Sequence, residues 1–314
     1  MEKLELILNE LSLKNYAPDL LSARQLMSNL IETIKAVKGI GGSQVTLRSQ
    51  YDFLDIILAD NYPLRQWLND RDVDKIEKLF IKNLVRKSPI SVELAKPEIQ
   101  AIEDNIGDIE FRYGGESAIG LGVAYLLNTL SISLLSDQPW DTPYIEIEMT
   151  RLDDEDEVAR VRHISEKNHV SEHSEWIANK IKQNIQDGVD LWERKFELFP
   201  HLEFCLNVER QLEPILAKNP IFQQILKRLS ELEEAAQKWT EGSFNLDSLP
   251  SKVTPESESR LKDFSHKLTF ICPDGVTRLF TLHSRFTPGA GRVYFSTDLG
   301  PGKIIIGYIG NKIQ

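Results

Sequence analysis

Cysteine is scarce in this sequence of 314 residues: only Cys205 and Cys272 occur, and they are far apart in the chain. So few cysteines suit a reducing compartment, and they exclude both a disulfide scaffold and a cysteine-rich zinc site. The N-terminal segment MEKLELILNELSL lacks the basic start and the apolar centre of a signal peptide. These absences predict a cytoplasmic protein.

Positive charge is also in short supply, although not at the C-terminal end. The chain carries 37 Lys and Arg against 48 Asp and Glu, which gives a net charge of −11. Residues 260–314 reverse this balance, with eight basic and three acidic side chains. The negative excess opposes nucleic-acid binding by the whole molecule, whereas the basic terminal segment allows such binding locally.

One stretch of the chain has no charge at all. Residues 117–136, SAIGLGVAYLLNTLSISLLS, are long enough to span a bilayer. However, Asn, Thr and Ser side chains dilute the stretch, and acidic Glu116 and Asp137 flank it without a basic anchor. The pattern therefore predicts a buried helix in an α/β core and no membrane contact.

Patterning along the chain predicts an α+β protein with three regions. Apolar residues at near-helical spacing indicate a mainly helical region at residues 1–105. Strand patterns around the apolar helix indicate a central α/β region at residues 106–200. Residues 201–314 are expected to form a helical hairpin followed by an antiparallel β-meander, with residues 260–314 as its basic sheet.

The meander is predicted from Gly and Pro turns that separate short β-branched and aromatic runs. Four strands are expected, at residues 267–272, 277–286, 292–296 and 303–309. Side chains alternate between the two faces of a strand. One face of the sheet is therefore expected to gather four polar residues over an apolar opposite face: His283, Arg285, Arg292 and Tyr294.

This polar set matches what RNA cleavage needs. The reaction requires a base for the 2′-hydroxyl, positive charge for the phosphorane and an acid for the leaving oxygen. His, Tyr and Arg can supply all three without a metal. The alternative is an ordinary solvated face, because antiparallel sheets commonly leave one side in water.

The segments FTLHSRF, GRVYF and KIIIGYIG carry a resemblance to a known family. A compact meander with Arg, His and Tyr, preceded by a helical pair, resembles the RelE/ParE superfamily of bacterial toxins over residues 203–313. The resemblance implies that Arg285 and Arg292 hold phosphate and that His283 or Tyr294 acts as acid or base. RelE-type members cleave messenger RNA and ParE-like members bind gyrase, so the implied activity depends on the branch. The chain departs from the family in its long N-terminal portion and its few sheet lysines.

Three of the six histidines, His163, His169 and His173, fall within eleven residues. His169 and His173 are four positions apart and would share a helix face, a geometry that can hold zinc. The glutamate of the H-E-x-x-H pattern is missing, because Val170 stands in its place. Polar contacts at the start of a helix are the alternative to this metal site.

The sequence thus predicts a metal-independent, RNA-directed endoribonuclease or toxin-like effector that uses no cofactor. Its predicted catalytic residues are His283, Arg285, Arg292 and Tyr294, and its predicted partners are RNA and an inhibitory or complex-forming protein. The alternative from a different class is a non-enzymatic interaction subunit of a bacterial toxin or defence system. The absence of a recognised catalytic motif favours this alternative.

Overall fold

A computed structural model describes residues 3–42, 44–50, 52–85, 109–151, 157–183, 185–216, 219–287 and 289–314. The chain divides into two compact units, Met1–Asn184 and Ile185–Gln314. Helices and sheets occur in both units, which confirms the predicted α+β class. No helix in the described part of the chain is long and apolar enough to cross a membrane.

The first unit is built on a seven-stranded mixed sheet. The described strands of this unit, seven of which form the sheet, are β1 Lys3–Leu8, β2 Gln44–Arg48, β3 Ile57–Ala59, β4 Tyr62–Pro63, β5 Ile109–Tyr113, β6 Glu116–Ser117, β7 Leu130–Ile132, β8 Tyr144–Arg151 and β9 Glu157–Ile164. Its helices are α1 Leu20–Gly39, α2 Leu64–Trp67, α3 Lys75–Val85, α4 Ile119–Leu126, α5 Lys167–Glu172 and α6 Ser174–Gln183, with 3₁₀ turns at Glu10–Leu13, Phe53–Asp55 and Gln138–Trp140. The sheet order is β2-β1-β7-β9-β8-β5-β6, and β3 pairs separately with β4.

Strand β1 lies inside the parallel part of this sheet, between β2 and β7. Its sequence KLELIL ends in three consecutive buried apolar residues, Leu6, Ile7 and Leu8, as is typical of a parallel strand that is covered on both faces. Helix α1 connects β1 to β2, and Asp19 caps it by accepting a hydrogen bond from the backbone N–H of Ser22. The core face of α1 carries apolar residues at helical spacing: Ala23, Met27, Leu30, Ile31, Ile34 and Val37.

The extent of the first unit differs from the predicted regions. Strands β1 and β2 belong to the same sheet as β7 and β9, so residues 3–48 are not a separate helical region. The predicted boundary between residues 105 and 106 lies outside the described residues, and the second unit begins at Ile185 rather than at residue 201. The apolar run in β1 is short, and periodicity alone does not separate a short buried strand from a helix.

The uncharged stretch at residues 117–136 is largely buried, but it is not a single helix. Helix α4 covers eight of its residues and ends before Asn128, whose φ of 44° lies in the left-handed region that stops a helix. The chain then enters β7, which lies between β1 and β9. The polar residues of the stretch have partners there, since the Ser131 hydroxyl donates to the Ile7 carbonyl at 3.3 Å.

The second unit contains a five-stranded sheet and a separate hairpin. Its strands are β10 Leu202–Phe204, β11 Val253–Pro255, β12 Thr269–Ile271, β13 Thr277–Leu279, β14 Leu282–Phe286, β15 Gly291–Ser296 and β16 Ile304–Asn311. Its helices are α7 Gly188–Leu198, α8 Asn207–Leu212, α9 Pro220–Lys238 and α10 Glu258–Phe264, with a 3₁₀ turn at Leu246–Ser248. The sheet order is β10-β16-β15-β14-β11, and β12 pairs with β13.

The predicted meander is present in β14, β15 and β16, which pair in antiparallel order. The strand expected at residues 267–272 is shorter and pairs only with β13, outside the main sheet. The strand expected at residues 277–286 is interrupted at Phe280 and Thr281. The cause is local, because the Phe280 N–H donates to the Leu268 carbonyl while its buried ring packs on Gly307 of β16.

Replacing Gly307 with Ala should therefore destabilise the second unit. A Cβ at this position would lie 2.6 Å from the Phe280 ring, and relieving such overpacking costs about 1–3 kcal/mol. Urea unfolding of the variant measures this loss. Gly39→Ala is the control, since its Cβ would meet nothing within 4 Å. An unchanged unfolding midpoint for Gly307→Ala would contradict the close approach.

Candidate functional site

The register of β14 and β15 brings the four predicted catalytic residues onto one face. His283 lies opposite Tyr294, and Arg285 lies opposite Arg292. Directly opposed residues of an antiparallel pair share a face of the sheet. The ring centroids of His283 and Tyr294 are 5.3 Å apart. The predicted clustering of these four residues is thus confirmed, although their catalytic role is a separate matter.

The shared face is covered rather than solvated. The exposed fraction is 0% for Tyr294, 4% for Arg292 and 5% for His283. The chain between β11 and α10 places Glu256 over the face, and the Glu256 N–H donates to the Thr281 carbonyl at 2.8 Å. The alternative of a solvated face is therefore wrong for these three residues, whereas Arg285 on the same face is partly exposed.

Glu256 is the centre of a buried polar cluster. The Tyr294 hydroxyl donates to Glu256 Oε1 at 2.5 Å, and Arg260 Nε donates to Glu256 Oε2 at 2.7 Å. His283 Nδ1 lies 3.6 Å from the same Oε1, and its Nε2 is 3.0 Å from the hydroxyl of Thr254. We call Glu256, Arg260, His283 and Tyr294 the Glu256 cluster. A phenol and a guanidinium thus hold the carboxylate from two sides.

Sequence reasoning missed Glu256 and Arg260. Glu256 lies in a polar run with two prolines at residues 241–258, whose composition is typical of a loop. The one signal available is the spacing of four residues between Glu256 and Arg260, which suits an ion pair at the start of a helix. Nothing in that spacing indicates that the pair lies over His283.

Burial determines the protonation states in this cluster. Burial, followed by the positive charge of Arg292, lowers the pKa of His283 to about 4, so its ring is neutral at pH 7. Burial and the hydrogen bond to Glu256 raise the pKa of Tyr294 above its ordinary value. Burial opposes ionisation of Glu256, but the hydrogen bonds from Tyr294 and Arg260 prevail and lower its pKa. The cluster therefore holds a carboxylate, a neutral imidazole, a phenol and a guanidinium.

Glu256, His283 and Tyr294 are buried, so the cluster offers little surface to a substrate. Tyr294 is fully buried and its hydroxyl proton points to Glu256. A general acid must lie within hydrogen-bond reach of the group it protonates. The catalytic role of His283, Arg285, Arg292 and Tyr294 stays a prediction, and the geometry is that of a polar core cluster.

The histidines of the first unit do not converge on one centre. His163 is fully buried, with Nδ1 2.7 Å from the Thr142 carbonyl and Nε2 2.7 Å from the Ser133 hydroxyl. Burial lowers the pKa of His163 to about 4. His173 Nε2 instead meets the Pro143 carbonyl at 2.8 Å. His163 and His173 are therefore engaged by protein groups and not by a common ligand.

His169 has different neighbours, Asp141 and Glu166, and the possible ligand atoms of the three residues lie within 4.8 Å of one another. The backbone N–H of Ser165 donates to His169 Nδ1 at 3.3 Å. This contact leaves the ring proton of a neutral His169 on Nε2, which faces Asp141 at 3.4 Å. A metal would need that nitrogen without its proton. The geometry therefore favours the predicted polar contact at the start of α5.

Comparison of this chain with protein-family models, curated proteins and solved structures finds no match. The RelE/ParE resemblance consequently stays a prediction from the sequence. Functional inference depends on the contacts and charges of the chain itself.

Three of the eight basic residues of the terminal segment pair with acidic residues of their own unit. Arg260 pairs with Glu256, Arg278 pairs with Asp274 at 2.5 Å, and Lys303 pairs with Glu203 at 2.9 Å. The unit as a whole, residues 185–314, has 16 basic and 17 acidic side chains. The basic segment is thus neutralised by its surroundings, which weakens the case for electrostatic attraction of RNA.

Proposed function

We propose that this protein is a non-enzymatic protein-interaction subunit, and that the outer face of the β12–β13 hairpin is its docking surface. One observation carries the proposal: apolar side chains on this face lie in solvent. The exposed fraction is 68% for Ile271 and 41% for Leu279 on this face, and 50% for Val276 in the adjoining turn. Contiguous exposed apolar side chains are typical of interaction sites.

The hairpin register explains why these side chains point outward. Ile271 lies opposite Thr277, and Leu279 lies opposite Thr269, so the outer face has no charged residue. Phe270, on the inner face, packs against the rings of Phe280 and Tyr308. The hairpin is thus anchored on one side and presents an uncharged surface on the other. An uncharged apolar surface suits a protein partner and offers little to a phosphate backbone.

The edges of the hairpin indicate the form of the partner. Among the described residues, β12 and β13 pair only with each other, so each has a free main-chain edge. Such an edge accepts an added strand, with main-chain hydrogen bonds supplying affinity and alternate side chains supplying specificity. The proposed partner is therefore a protein that contributes an extended, apolar strand.

Coexpression tests this proposal. The tagged chain is produced with each protein encoded beside its gene, and a stoichiometric complex is expected with one of them. The double variant Ile271→Glu, Leu279→Glu should weaken that complex tenfold to roughly a hundredfold, because two buried apolar contacts become charged. Val158→Glu is the control, since Val158 is 69% exposed and lies in the first unit. A complex that withstands the double variant would contradict the docking surface.

The endoribonuclease is the second proposal, supported by the clustering of His283, Arg285, Arg292 and Tyr294 on one face. The purified chain is assayed on RNA with and without EDTA, beside His283→Ala and Arg292→Ala. The interaction proposal expects no cleavage. Cleavage that survives EDTA and disappears in both variants would favour the nuclease instead, provided that circular dichroism shows both variants folded.

A further inference from the structure

Cys205 and Cys272, which are remote in sequence, meet in the second unit. Cys205 follows β10, and its N–H donates to the Ile306 carbonyl of β16 at 2.9 Å. Cys272 follows β12 at the start of the hairpin turn, and its N–H donates to the Val276 carbonyl at 2.9 Å. The two side chains belong to one core cluster of the second unit, where Cys272 lies close enough to Cys205 to affect its ionisation. Both side chains are buried.

The packing of the hairpin on β16 accounts for this meeting. The Phe280 ring lies so close to Gly307 that a Cβ added to Gly307 would be 2.6 Å from the ring. Gly307 directly follows Ile306, whose carbonyl accepts the hydrogen bond from the Cys205 N–H. Phe270 stacks on Tyr308 with ring centroids 6.1 Å apart and planes inclined by 16°. Two aromatic contacts on neighbouring residues of β16 therefore fix the hairpin beside Cys205.

The two sulfurs have different surroundings. Burial, followed by the adjacent Cys272, raises the pKa of Cys205 to about 12, so Cys205 stays a thiol at neutral pH. The Arg278 guanidinium lies near Cys272 and is paired with the Asp274 carboxylate. Thiolates are the reactive form of cysteine, and a neighbouring positive charge favours a reactive cysteine. Cys272 is 4% exposed, but the turn residues that follow it are in solvent.

We propose that Cys205 and Cys272 are a redox modification site that forms an intramolecular disulfide when the protein meets a small peroxide. The Cys272 thiolate attacks one peroxide oxygen, the O–O bond breaks, and Cys272 becomes a sulfenic acid as hydroxide leaves. The Cys205 sulfur then attacks the Cys272 sulfur, the S–O bond breaks, and the thiol proton leaves with the oxygen as water. In total, two thiols and one hydrogen peroxide give one disulfide and two waters.

The disulfide would join the end of β10 to the turn of the β12–β13 hairpin. The hairpin could then no longer separate from β16 without strain on the covalent link. This inference does not depend on the proposed docking function, because the sulfur contact lies on the inner side of the hairpin. Formation of the bond and binding of a partner are measured separately.

The test uses the reduced, folded full chain treated with hydrogen peroxide. Mass spectrometry without reductant should find the loss of two hydrogen atoms, and peptide mapping should find one crosslink between Cys205 and Cys272. Dithiothreitol should restore the original mass, and the oxidised protein should unfold at a higher temperature than the reduced one. Cys205→Ser and Cys272→Ser should each abolish the crosslink.

The role of Arg278 has its own readout. Arg278→Gln should slow disulfide formation several-fold, because a neighbouring positive charge no longer stabilises the attacking sulfur, whereas Lys303→Gln, which removes the ion pair with Glu203 beside β16, should leave the rate unchanged. Three results would overturn the proposal: thiols of the parent protein that do not react with peroxide, oxygen addition to one cysteine without a crosslink, or disulfides formed only between chains. Each is read on the parent protein, so none depends on the folding of a variant.

Discussion

Glu256→Ala is expected to lower the free energy of unfolding of the second unit by about 3–5 kcal/mol, the range found when one partner of a buried charged pair is removed. The substitution takes away the acceptor of the Tyr294 hydroxyl and of Arg260 Nε at once. Tyr294 is fully buried and has no access to water as a replacement. Urea unfolding followed by circular dichroism measures the loss.

Two further variants separate packing from hydrogen bonding. Glu256→Gln keeps the shape and an acceptor oxygen, so its loss should be clearly smaller than that of Glu256→Ala. In a double-mutant cycle with Tyr294→Phe, the two losses should sum to more than the loss of the double variant, because both remove the same hydrogen bond. If the stability losses of Glu256→Ala and Tyr294→Phe were additive, or if Glu256→Ala were as stable as the parent, the hydrogen bond between Glu256 and Tyr294 would not contribute to stability as expected.

Acidification is expected to destabilise both units between pH 6.5 and pH 4. Burial lowers the pKa of His163 and that of His283 from 6.5 to about 4. Within this window the unfolded chain binds a proton at each histidine and the native chain does not. The stabilising contribution of each histidine is therefore fully present above pH 6.5 and is lost as the pH falls towards 4. Each histidine should contribute roughly 3 kcal/mol to this loss. Unfolding by urea at a series of pH values measures the slope.

His163 and His283 lie in different units, so the pH dependence of each unit can be tested separately. His163→Gln should flatten the pH dependence of the first unit only, and His283→Gln that of the second unit only. Amide hydrogen exchange at each pH, read by mass spectrometry of the peptides, identifies which unit opens. A pH dependence that survives both substitutions would assign the effect to other groups, such as the carboxyl of Glu256, whose pKa is also lowered in the fold.

The sequence predicts the faces of β14 and β15 correctly, because strict alternation places Arg285 and Arg292 with His283 and Tyr294. It does not predict their burial. That depends on Glu256, which arrives from a polar run and covers the face only after β11 has paired with β14. Alternation reports which residues share a face, whereas the tertiary contact decides whether that face meets water.

In the first unit, too, the sequence predicts burial correctly but not the type of secondary structure. The uncharged residues 117–136 indicate burial, and burial is found, but their sequence does not reveal that Asn128 ends the helix and that β7 follows. A short apolar run satisfies the helix and the buried strand equally well. The pairing partners of β7, strands β1 and β9, decide between them, and both are distant in the sequence.

Strand β16 lies between β10 and β15 and follows both of them in the chain. It joins β10, the earliest described strand of the second unit, to β15, and neither neighbour can pair with it before it has been synthesised. Completion of this sheet must therefore await the synthesis of β16. Until then the apolar residues of β10 and β15 depend on chaperones or on transient local contacts, since sheets that close through distant pairings form slowly.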